Sequence, residues 1–170
     1  MKATISDSNP FCGRILTEKV VADNKQFRIV EDKDPIVPGH LLLFALKEAK
    51  SLADSPFENL CDFLEEKLST LFPNQRYWLV ERGRGLFCSS FGNIIHAHGH
   101  LVPEDSCGQI LLREEKAQKA ESLRHAFEIV KGADEYLLAG QVKGGFEVVY
   151  PLNNAPKRLA RMIISNNLST

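Results

Sequence analysis

Three histidines at alternate positions, His96-Ala97-His98-Gly99-His100, constrain this chain more than any other feature. With five histidines in 170 residues, chance places such a triplet in roughly 0.4% of chains of this composition. Side chains alternate faces along a strand, so the pattern predicts three imidazoles in a row on one face, neighbours about 7 Å apart. Ala97, Gly99 and Leu101 then point the other way, and small residues there suit close packing behind the row. Burying polar rings idly is costly, which argues for a function. A neutral imidazole is both a nucleophile and a metal ligand, and spacing alone leaves these two chemistries open.

The rest of the composition narrows the class. At roughly 150 residues per domain, the length predicts one compact unit. Lys plus Arg number 21 against 22 Asp plus Glu, a net charge of -1, which excludes a bulk pull toward nucleic acid or anionic lipid. The longest apolar run, Leu41 to Leu46, falls far short of the roughly 18 residues of a membrane span. Met1 to Pro10 holds no apolar stretch, so no secretory signal is expected. Cys12, Cys61, Cys88 and Cys107 form no C-x-x-C pair, and the reading is reduced thiols in a cytoplasmic protein.

Periodicity and breakers predict strands at Arg14 to Val21, Gln26 to Val30, Leu41 to Leu46, Tyr77 to Glu81 and Asn93 to Val102, with a hairpin turn at Ala22 to Lys25. Ser55-Pro56-Phe57-Glu58 reads as a capping box opening a helix. Phe57, Leu60, Cys61, Leu64, Leu68 and Leu71 form its apolar stripe until Pro73 stops it. Beyond Asp105 the pattern predicts a charged helix at Arg113 to Lys131, a hairpin of Glu135 to Ala139 with Phe146 to Tyr150, and a short basic helix at Pro156 to Asn166. On that last helix Arg158 and Arg161 share a face, readable as a phosphate clamp or as a solvated basic surface. Strands interspersed with helices, without regular βαβ alternation, predict an α+β fold with an antiparallel sheet.

The segment His96 to Pro103 resembles the signature of the histidine triad family. Phe27 to Leu46 resembles that family's segment in which an acidic or amide residue stands eight positions before the His of a Pro-Gly-His turn; here these are Asp32 and His40. Cys12 to Ile15 and Glu81-Arg82-Gly83 resemble further family segments, and the likeness covers about Phe11 to Glu104. The resemblance implies a sheet of about five antiparallel strands with helices packed on it, the triad on a central strand. It divides the chain into a core at 1–104 and a helix-hairpin-helix extension at 105–170 packed on the same domain.

The resemblance also implies a chemistry. His98 would attack the α-phosphorus of a nucleotide conjugate to give a nucleotidyl-histidine, which water or another acceptor resolves, making the protein a hydrolase or nucleotidyl transferase. A backbone carbonyl of His96 would hold the proton on the other nitrogen of His98, His100 would donate to the phosphate, and Asp32 would accept from ribose hydroxyls. Many members carry Gly-Gln and Ser or Thr before the triad, where this chain has Ser89-Ser90-Phe91-Gly92-Asn93, so Asn93 with Ser89 or Ser90 is assigned to phosphate. Arg82 and Arg84 lie in the loop before that segment, readable as contacts to a di- or triphosphate or as a solvated Arg-Gly-Arg turn. One thiol of the family's zinc-binding C-x-x-C is missing at Asn9 to Cys12, so no metal is expected. No cofactor is required, with Mg²⁺ admitted alongside a polyphosphate substrate, and a homodimer is expected. His40 is read as a turn residue capping a backbone carbonyl. Two alternatives stand: a nucleotide-binding sensor with little turnover, and a metal-binding cupin barrel, whose G-x5-H-x-H-x3-E pattern Gly92, His98, His100 and Glu104 satisfy.

Overall fold

A computed structural model describes residues 19–84, 97–152 and 159–168. Its elements are β1 (Val20–Asp23), β2 (Phe27–Glu31), β3 (Leu41–Ala45), a 3-10 turn (Leu52–Asp54), α1 (Phe57–Leu71), β4 (Tyr77–Gly83), β5 (His98–Pro103), α2 (Glu104–Cys107), β6 (Gln118–Ala120), α3 (Leu123–Val130), β7 (Tyr136–Gln141), β8 (Phe146–Val149) and α4 (Leu159–Leu168). The strands form one sheet in the order β1-β2-β3-β5-β4-β7-β8-β6, every neighbouring pair antiparallel. The fold is α+β, and its sheet has eight strands rather than about five. The enlargement comes from the C-terminal hairpin β7–β8 together with β6: β7 pairs with β4 from Trp78↔Gln141 to Gly83↔Tyr136 and β6 adds to β8.

Alternation along the strands builds two cores. Leu43, Leu79, Leu101 and Leu138 pack with Leu60 and Leu64 of α1 and Phe127 of α3. On the opposite face, Trp78, Val80, Val102 and Ala139 pack with Ala160 and Ile164 of α4. Truncating a fully buried leucine such as Leu101 costs about 2–5 kcal/mol. His98 and His100 fall on the face of Val102 by the period of two, the face that α4 covers in part. Gly99 faces α1: an added Cβ would lie 2.7 Å from Leu79 Cδ1 and 3.2 Å from Leu52 Cδ1, as expected from the small residues behind the row.

Local corrections have identifiable causes. Ser55 does not cap α1; its hydroxyl donates to the Leu52 carbonyl and closes the 3-10 turn, leaving Pro56 as N-cap with no side-chain bond. The stripe of α1 buries Phe63 and leaves Leu71 exposed. The helix expected from Arg113 starts only at Leu123, capped by Ser122, whose oxygen accepts from the His125 amide. Gln118–Ala120 pairs instead with β8, an attachment across the chain that local charge patterning does not register. The first turn is set by Asn24, whose Oδ1 accepts from the amides of Gln26 and Phe27. Among the described residues the strands form a single sheet that runs from β1 to β6 without closing on itself, which does not match the barrel of the cupin alternative. Glu104 opens α2, where it accepts from Gln141 Nε2 at 2.6 Å and pairs with Arg76 at 3.2 Å.

Candidate active site

The central strand β5 runs between β3 and β4, with His100 opposite Leu42 on one side and Val80 on the other, and His98 opposite Phe44. The Phe44 ring stacks on His98 at 5.8 Å between centroids and 30° between planes, which holds the half-buried imidazole against the sheet. His98 meets His100 edge-on at 5.9 Å. His40 precedes Leu42 by two residues, so it shares the face of Leu42 and Phe44 and sits diagonally across from His100, within reach of a long side chain. Its ring lies 5.1 Å from that of His100.

The β2–β3 turn brings His40 there. Gly39 has φ +78°, a conformation that an L side chain adopts only with strain, and a Cβ on it would lie 2.9 Å from Pro103 Cγ. The Asp32 amide donates to the His40 carbonyl at 3.2 Å and the His40 amide to the Val37 carbonyl at 3.2 Å, closing the turn. The Ile36 amide donates to His40 Nδ1 at 3.2 Å. An amide is only a donor, so Nδ1 carries no proton and the neutral ring bears it on Nε2. Nε2 lies 3.0 Å from His100 Nδ1, so His40 donates to His100 and the His100 proton sits on its own Nε2. His40 therefore accepts from an amide, where a carbonyl was expected as its partner.

Both rings are held neutral. Burial lowers the His40 pKa to about 4, the Asp32 and Asp34 carboxylates pulling it up and Arg161 pushing it down. His100 is depressed well below its ordinary value by burial, with His98, His40 and Arg161 adding to the effect. Directional hydrogen bonding between two uncharged rings follows, with one fixed sense.

No protein-family model and no curated protein matches the chain. Among solved structures, yeast Ap4A phosphorylase Apa2 in complex with AMP is similar at a TM-score of 0.42 and 16% identity, over 79% of this chain and 59% of that one. The chain thus spans less than two thirds of that structure, and a likeness of this degree says nothing of activity.

Of the residues expected at the site, His98 and His100 stand together on one face. His96, Ser89, Ser90 and Asn93 lie outside the described residues, as do Cys12, Cys88 and Arg158. The Asp32 side chain is wholly buried. Its Oδ1 accepts from the Asp34 amide at 3.1 Å and its Oδ2 from Arg161 at 2.8 Å, so a ribose hydroxyl would compete with these donors. Arg82 follows Val80, the neighbour of His100, by two residues and so shares the histidine face of β4, where it bonds Glu135; Arg84 reaches Asp54 and the carbonyls of Val130 and Ala133.

Sequence reasoning missed two things. One is the His40–His100 bond, which alternation back from Leu42 together with the β3–β5 register would have found. The other is Glu81, wholly buried on the α1 side, accepting from the Leu52 amide at 2.7 Å and the Tyr136 hydroxyl at 2.8 Å. Burial pushes its carboxyl up to about 8, against the two hydrogen bonds. Among the described residues Asp32, His40 and His100 bring ligand atoms within 4.8 Å of one another. The Asp32 oxygens, both His40 nitrogens and His100 Nδ1 already carry hydrogen bonds, and the Arg161 guanidinium on Asp32 makes this a poor setting for a second cation. Cys61 and Cys107 are free and buried, and burial raises both thiols to about 11, away from nucleophilic use. No helix among the described residues is long and apolar enough to cross a membrane.

Proposed function

We propose that the protein is a nucleotide hydrolase or nucleotidyl transferase of the histidine triad type, acting at the α-phosphorus of a nucleotide conjugate. The observation that carries the reading is the ordered pair beside the half-buried His98: His40 donates to His100, and His100 keeps a proton on Nε2. A ring neutral at pH 7 yet a fixed donor is what a developing phosphoryl charge requires nearby. In the proposed reaction a ring nitrogen of His98 forms a P–N bond as the bond from phosphorus to the leaving group breaks, and the leaving group takes up a proton. Water then attacks phosphorus and gives up a proton, which replaces the one taken by the leaving group, the P–N bond breaks, and the nucleoside monophosphate leaves with His98 restored. His96 supports His98 through its backbone carbonyl, Asn93 with Ser89 or Ser90 holds phosphate oxygens, and Asp32 reaches ribose only by exchange with Arg161. No metal or organic cofactor is required; Mg²⁺ serves only to neutralise a polyphosphate substrate. The protein works as a homodimer in the cytoplasm, with the chain beyond residue 104 packed on the same domain as the core.

The test is an assay of nucleoside monophosphate release from a panel of adenylated and guanylated conjugates, wild type against His98→Ala. The expected result is loss of turnover by about 10³-fold or more with nucleotide affinity within about tenfold. A His98→Ala variant that turns over normally would end the assignment. Tight binding of nucleotides without release by the wild type would favour a sensor.

A further inference from the structure

Asp32 and His40 meet in a way that two neutral partners would not choose. Oδ2 of Asp32 lies 3.4 Å from Nδ1 of His40, and both are acceptors, because the Ile36 amide already donates to Nδ1. A carboxylate beside an imidazole ordinarily draws the ring proton toward itself. Here a guanidinium from α4 intervenes. Arg161 donates to Oδ2 of Asp32 at 2.8 Å, and its other terminal nitrogen donates to the Asp34 carbonyl and stands 3.5 Å from the Asp34 carboxylate. The planar fork grips two points of one turn, which a lysine ammonium does not reproduce. The arginine side chain is 23% exposed, whereas the carboxylate it holds is wholly buried.

We propose that Arg161 is a positioning residue: by occupying the Asp32 oxygen that faces His40, it keeps the ring proton of both His40 and His100 on Nε2, so that His100 presents a donor on the sheet face. The use of that donor in catalysis rests on the function proposed above; the proton arrangement does not. The groups facing His40 among the described residues are Asp32 and Asp34 from the β2–β3 turn, Arg161 from α4, and His100 with His98 beyond it from β5. Without Arg161 the Asp32 charge is unopposed. The His40 proton then passes to Nδ1 and bonds Oδ2, the Ile36 amide giving up its acceptor there, and Nε2 is left to accept from His100 Nδ1–H. Each ring keeps one proton, but the relay reverses and the outer nitrogen of His100 is bare. The other response is uptake of a second proton by His40, which the carboxylate favours and Arg161 opposes.

The full-length protein with ¹⁵N-labelled histidine, observed by two-bond ¹H–¹⁵N correlation at pH 7, distinguishes these states. The wild type is expected to show a protonated Nε2 and a bare Nδ1 at both His40 and His100. Arg161→Gln is expected to move His40 to the Nδ1–H or the doubly protonated state, and adding Asp32→Asn should return it, since the pull on the proton is gone. Arg161→Lys should recover the wild-type pattern only in part. A folded Arg161→Gln protein with the wild-type pattern would overturn the proposal, and so would an Nδ1–H on His40 in the wild type, which tests it even if that variant does not fold. In turnover, Arg161→Gln should lose about tenfold or more in kcat without a rise in KM, since the freed Asp32 carboxylate stays available to ribose. Failure of the catalytic reading alone would leave the histidine spectra as described.

Discussion

Where one proton sits on His40 follows from the Ile36 amide at Nδ1 together with the hold of Arg161 on Asp32, and the consequence passes to the buried His100 ring on the α4 side of the sheet. Glu81 shows the same sensitivity on the other side. Its carboxyl titrates at about 8 in the fold, raised above its ordinary value by burial. The unfolded chain releases this proton near the ordinary glutamate value of 4.5, so between 4.5 and about 8 the folded state binds more protons than the unfolded one, and stability falls as pH rises across that window. Glu81→Gln is expected to remove this slope and to be more stable than the wild type at pH 8, with a difference on the order of a few kcal/mol. Denaturant titrations at pH 5 and pH 8 check it; equal pH dependence in both proteins would contradict it. Neither residue was legible as a partner in the sequence, because each acts through a neighbour far along the chain: Glu81 through Tyr136, His40 through His100.

At the scale of elements, the β2–β3 turn and strand β5 make the site between them. The alternation in His96 to His100 and the apolar run at Leu41 were enough to place both strands, since period-two patterning is a local property. The turn was legible as Pro38-Gly39-His40, and its positive φ at Gly39 is the reason for the glycine. Gly39→Ala combines a strained backbone with a 2.9 Å approach to Pro103 Cγ. It is expected to lower stability by about 1–3 kcal/mol and to weaken the His40–His100 bond, read as a lower melting temperature and an altered His40 ring signal. An unchanged melting temperature would contradict it. What stayed hidden was the pairing of Gln118–Ala120 with β8 and the use of Ser55 by the preceding 3-10 turn. In both cases a tertiary or neighbouring partner outcompeted the local signal.

Across the whole molecule, the eight-stranded sheet carries helices α1 and α3 on one side and α4 on the other, and the histidines share the side of α4. The C-terminal chain is thus both part of the sheet, through β7 and β8, and part of the setting of His40 and His100, through the hold of Arg161 on Asp32. The sequence motifs stop at Glu104, and nothing in local pattern announces that a residue 129 positions downstream of Asp32 will hold it. The central claim remains the chemistry of His98. Its most direct measurement is to quench the full-length protein during turnover of a conjugate labelled at the α-phosphorus and to map the label. The account predicts an acid-labile, base-stable nucleotidyl group on His98, absent from His98→Ala; turnover with no label on any histidine, or label that survives the loss of His98, would contradict it.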